Sequence, residues 1–82
     1  MKRMDNVEGR IKRIMADLFD LQADALAGET RLVEDLNIKS ANRINLSVQL
    51  EEEFQIEINI FEILKLKTLQ EIFDLVAGKV SG

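Results

Sequence analysis

The chain has 82 residues, enough for one compact domain over residues 1–82 with a modest core. Eleven basic against fifteen acidic side chains give a formal charge of −4, and four Phe are the sole aromatics, which opposes nucleic-acid binding by charge and by stacking. Without His, Cys or Tyr, acid–base chemistry is left to carboxylates and Lys and no cysteine–histidine metal site exists, so neither catalytic nor metal-ligating residues are expected.

The lack of cysteine fits a reducing cytoplasm, the expected location. The charged opening MKRMDNVEGR has no signal-like apolar run behind it, and no run is long enough to insert in a membrane. The 3.6-residue period recurs and no convincing strand window does, so the fold expected is all-α. A first helix should start near Asp5 or Asn6, where Asp5 and Glu8 have capping-box spacing. It carries the stripe Val7, Ile11, Ile14, Met15, Leu18, and Arg10, Lys12 and Arg13 are expected in solvent. Residues 22–39 form a long connection broken at AGET, which Leu26, Leu32, Val33 and Leu36 are expected to pin to the helices. Asn37 suits a left-handed turn there.

A second helix is expected over Ser40–Phe54, with Asn42, Asn45, Gln49, Glu52 and Glu53 on one arc toward water. Ile44 and Val48 flank that arc on one side and Leu46, Leu50 and Phe54 on the other, as in a helix wedged between neighbours. Ile56, Ile58 and Ile60 alternate, but a lone strand would have no partner, so an extended segment leading to a short helix near 60–66 is expected, with Ile60 and Phe61 in the core. Thr68 and Glu71 form a capping box for a last helix with Leu69, Ile72, Phe73, Val76 and Val80 inward, fraying at Gly78. Read locally, Ser40 is an N-cap for the second helix, and Glu51, Glu52 and Glu53 form a solvated acidic face.

Taken together, "DLNIKSA" followed by "NRINLSVQLEEEF", then "IEI" and the ending "TLQEIFDLV", resembles the acyl carrier protein family over nearly the whole chain and without a gap from Glu34 to Val76. That family's pattern is "DLG-x-DSL" leading into an amphipathic helix with "LEEEF". The resemblance implies a four-helix bundle: three main helices, a short third one and a long loop between the first two. It implies a carrier that is not an enzyme. Ser40 would bear 4′-phosphopantetheine, supplied from coenzyme A by a holo-acyl-carrier synthase or other phosphopantetheinyl transferase. A monomer would then present acyl thioesters to acyl-transfer and elongation enzymes of fatty-acid, lipid or polyketide-type biosynthesis. The matching acyl-pocket positions are Ser47, Leu50, Ile58, Ile63, Leu66 and Ile72.

The departures are as informative. Lys39 and Ala41 replace the usual Asp and Leu around the serine, Asn37 replaces a loop glycine, and Asn42 and Asn45 stand at acidic positions. Arg43 adds a cation, so residues 39–50 carry +2 with no acid. The partner surface expected from the resemblance is Lys39, Ala41, Asn42, Arg43, Asn45, Glu52 and Glu53, and its altered charge implies a specialised carrier with dedicated partners. The alternatives are a peptidyl or aminoacyl carrier, and an unmodified interaction module of the same fold.

Overall fold

The apolar periodicity becomes, among the described residues, four α-helices and one 3-10 turn: α1 (Arg3–Phe19), the turn Ala23–Ala25, α2 (Ser40–Phe54), α3 (Ile60–Leu64) and α4 (Leu69–Ser81). The computed structural model describes the backbone of residues 3–81 and the side chains of residues 7–81. Helix α1 packs against α2 and α4, and α2 packs against α3. Val7, Ile11 and Met15 from α1, Leu46 and Leu50 from α2, Ile63 from α3, and Leu69, Ile72, Phe73 and Val76 from α4 share one core. Each fully buried aliphatic side chain of this kind contributes about 1.5–3 kcal/mol.

Helix α1 starts at Arg3, so Asp5 lies inside it and cannot cap it; the Asp5 side chain falls outside the described part. Both α1 and α2 end with a left-handed residue, Asp20 and Gln55. The next amide then reaches back five residues, Leu21 to the Ala16 carbonyl and Ile56 to that of Glu51. This is a Schellman closure, with Leu21 and Ile56 folding onto the core as its hydrophobic contacts.

The connection between α1 and α2 is held as expected by Leu26 and Leu32, with Leu36 at the edge of the core and Asn37 in the left-handed region. Ile38 is also buried, whereas Val33 is 52% exposed and pins nothing. Backbone bonds fasten the loop to the start of α4. Leu32 donates to Lys67, Leu69 to Thr30 and Gln70 to Gly28, at 2.8–2.9 Å, and Arg31 and Thr68 form an antiparallel bridge. A long loop thus gains backbone partners without a sheet.

Helix α2 keeps its expected bounds but not its two apolar flanks. Its buried side is Arg43, Leu46, Ser47 and Leu50, while Ile44 and Val48 are 48% and 43% exposed. Neighbours cover the Leu46–Leu50 flank only, so the helix lies at the surface and is not wedged. Helix α3 is capped by Asn59, whose side chain accepts from Phe61 N at 2.8 Å while Glu62 accepts from Asn59 N at 2.9 Å. Ile60 packs on the core, but Phe61 is 74% exposed. The Thr68–Glu71 box at α4 forms as read: Glu71 N donates to Thr68 Oγ1 at 3.3 Å and Thr68 N to Glu71 Oε1 at 3.1 Å. Helix α4 then runs unbroken through Gly78 to Ser81, and Val80 faces out.

Candidate functional site

The site begins where the long loop turns into α2. Ile38, fully inside, fixes the end of the loop, and Lys39 occupies the N-cap position in extended conformation. Ser40 is therefore the first helical residue and not the cap. Its side chain is exposed, and the helix end has no side-chain cap and no acidic residue in its first turn. Leading amides with no acidic residue in the first turn, a positive helix end and the adjacent Lys39 together favour a phosphate-bearing group at this hydroxyl. The residues present thus fit a phosphodiester-linked arm, whose thiol would supply the sulfur that the chain lacks.

One turn into the helix, Arg43 departs from the surface role expected of it. Its side chain folds under α2 toward α3, where Nη1 donates to the Leu64 carbonyl at 2.6 Å and to that of Ile63 at 3.4 Å. Arg43 is only 6% exposed, and its Nε is buried with no partner among the described residues. Positions 43, 46, 47 and 50 share one side of a 100° wheel, so the pattern that placed Leu46 and Leu50 inside also carries Arg43 inward. Beside it a cleft of about 690 Å³ opens between the loop at 31–34 and the α3–α4 connection at 64–68.

The expected acyl-pocket residues do converge, but as packed core. Leu50, Ile63 and Ile72 are fully buried, Ile58 nearly so, and Leu66 packs against them from the edge. Ser47 spends its hydroxyl on the Ile44 carbonyl at 2.7 Å. Of this set Leu66 alone also lines the cleft.

Lys39, Ala41, Asn42 and Asn45 form an exposed face as anticipated, joined by Ile44 and Val48. At the far end the three glutamates divide their work. Glu51 accepts from Ile58 N at 2.8 Å and anchors the segment before α3. Glu53 is bound by Arg10 at 2.6 Å, and the same guanidinium lies 4.4 Å from the Phe54 ring centroid. Arg10 is thus a clamp between α1 and α2 rather than a merely solvated cation, and Glu53 is partly neutralised. Glu52 stays exposed. Three other carboxyls are held below the usual carboxylate range: Glu71 by the Lys67 and Thr68 amides, Glu62 by the Asn59 amide and then Lys79, and Asp35 by the amide and guanidinium of Arg31.

Residues 9–76 match the family model described as "Phosphopantetheine attachment site". An acyl carrier protein of Buchnera aphidicola subsp. Baizongia pistaciae is 41% identical over 73 residues, covering 89% of this chain and 94% of the relative. One of Thermosynechococcus vestitus is 38% identical over 73 residues, covering 89% and 90%. A crystal structure of an acyl carrier protein from Thermotoga maritima superposes with a TM-score of 0.80, covering 95% of this chain and 91% of that one; at 22% identity it supports the fold. No helix of the described residues is long and apolar enough to cross a membrane. Matched across most of its length, the chain belongs to the acyl carrier protein family, phosphopantetheine-bearing carriers and not enzymes, which work with phosphopantetheinyl transferases and acyl-handling enzymes.

Proposed function

We propose that Ser40 bears the 4′-phosphopantetheine arm and that the chain, one monomeric domain in the cytoplasm, is a specialised carrier and not a housekeeping one. The observation that carries the attachment is the exposed Ser40 hydroxyl at an uncapped, acid-free helix start. The arm's thiol would hold acyl groups as thioesters. The protein's part is to present that arm from a rigid helix end and to favour its phosphate there. Specialisation is supported by the exposed face of α2 up to Leu50, which carries Lys39, amides and aliphatics but no carboxylate. Ser47, Leu50, Ile58, Ile63, Leu66 and Ile72 would shelter an acyl chain by parting α2 from its neighbours, each buried methylene contributing about 0.8 kcal/mol.

The test is intact mass after incubation with coenzyme A and a broad-specificity phosphopantetheinyl transferase, followed by peptide mapping. One arm per chain, on the peptide containing Ser40 and absent from Ser40→Ala, is expected. An unchanged mass with several transferases would favour the unmodified module, and an arm on Ser40→Ala would displace the site.

A further inference from the structure

Arg43 differs in kind from the other cations of the chain. Nη1 is committed to the carbonyls that end α3, yet Nε is a charged group's donor, buried and without an acceptor among the described residues. Buried donors are seldom left so, because the desolvation of the group goes uncompensated. The cleft that Arg43 lines is walled by Val33, Leu64 and Leu66 and rimmed by Arg31, Lys65 and Lys67, with Glu34 the acid among its residues. Arg31 is paired with Asp35 at 3.3 Å, while Lys65 and Lys67 have no ion-pair partner among the described residues. A chain of net charge −4 thus gathers four cations around one apolar-walled cleft.

The cleft also lies where a tethered group would find it. Arg43 follows Ser40 by three residues, which puts their Cβ atoms about 5–6 Å apart on the same side of α2. A group tethered at Ser40 would meet the cleft at an effective concentration on the order of millimolar, so even a weak contact would be populated.

We propose that this cleft is a cargo subsite for acyl groups that carry a carboxylate. With a small turn of the Arg43 side chain that uncovers it, Nε–H donates to the carboxylate, Lys65 and Lys67 add charge at the rim, and Val33, Leu64 and Leu66 take the methylenes. A plain alkyl chain would meet the same walls but leave Nε unpaired. The phosphodiester of the arm is the other anion at hand, but it would be fixed at the exposed helix end beside Lys39. Arg43 is turned beneath the helix, where a flexible arm can bring its far end. The inference rests on Ser40 bearing the arm.

The test compares apo, holo, hexanoyl and adipoyl forms of the full chain, the two acyl groups having equal length and differing by one carboxylate. Intact mass is read first; failure of Ser40 to load overturns the carrier reading and this one with it, at a step separate from the spectra. The readout is the ¹H–¹⁵N resonance of Arg43 Nε and the amides of residues 64–68. The adipoyl form should move the Nε proton downfield and shift those amides, with at least a twofold smaller change in the hexanoyl form. Lys67→Gln, which leaves Arg43 and its carbonyl bonds in place, should reduce the adipoyl shift by half or more. Equal shifts for hexanoyl and adipoyl overturn the proposal. So does a full Nε shift already present in the holo form, which would identify the phosphodiester as the ligand.

Discussion

A guanidinium that leaves water must replace its hydration with fixed acceptors, and Arg43 does this in part, through two carbonyls at the end of α3. The bond has a local purpose. Helix α3 has only five residues, so most of its carbonyls lack partners within it, and Arg43 serves two of them. We predict that Arg43→Met, which keeps much of the apolar stem, destabilises the domain by about 1–2 kcal/mol in urea unfolding. The lost carbonyl bonds outweigh relief of the unpaired Nε. In a domain of this size that corresponds to a fall in melting temperature of roughly 4–16 °C. An unchanged midpoint would mean that water replaces the guanidinium at no cost. By contrast, Phe61→Ser should change stability by less than about 0.5 kcal/mol, since the ring is 74% exposed; a large loss would place it in a contact.

At the scale of elements, capping chemistry explains both where the helices start and how the fold should respond to acid. Glu62 and Glu71 each accept from backbone amides just before their helices, and both have lowered pKa values. A carboxyl with a lowered folded-state pKa stabilises the fold above its ordinary pKa, and the contribution is lost as pH falls through the lower folded-state value. Stability should therefore decline as pH drops below the usual carboxylate range, with Asp35 acting in the same direction. Glu71→Gln should flatten that decline, because an amide has no charge to lose; melting temperatures across pH 3–7 test this, and an identical slope in the variant would exclude Glu71 as a source. The same element offers a gain. Gly78 lies mid-helix in α4, exposed, with nothing within 4 Å of an added Cβ, so Gly78→Ala should stabilise by about 0.5–1 kcal/mol in urea unfolding.

These elements also show what was legible in the sequence. The α2 bounds and the Thr68 cap follow from spacing alone, and the Asn59–Glu62 box has the same spacing. The inward turn of Arg43 and the outward faces of Ile44, Val48 and Phe61 were not, because periodicity says which residues share a side, not which side a neighbour covers. Ser40 is proposed as the attachment point from its place in a motif, which spacing alone would read as a cap. The cleft was hidden, since the loop and the α3–α4 connection that form it are far apart along the chain.

For the whole molecule, burying Arg43 changes what a partner enzyme meets. Residues 39–50 carry a formal +2, but one of those charges is internal, so Lys39 supplies the positive charge of that exposed face. Around it lie Ala41, Asn42 and Asn45, with Ile44 and Val48 one turn apart. Glu53 is already held by Arg10, so Glu52 is the carboxylate of the run most available to a basic partner. A dedicated partner should therefore be apolar opposite Ile44 and Val48, neutral or acidic opposite Lys39, and basic only opposite Glu52. Carriers with the usual acidic α2 would instead be steered by basic patches, and charge complementarity of that kind governs encounter rate and rejects wrong partners. We predict that combining Lys39→Asp, Asn42→Asp and Asn45→Glu raises activity with a primary fatty-acid elongation enzyme several-fold at low salt. The gain should shrink as added salt brings the Debye length toward 3 Å at about 1 M. Arg43 stays in place in this variant, because replacing it would confound docking with stability. Equal activity of the two proteins at low salt would show that the charge of this face does not choose the partner.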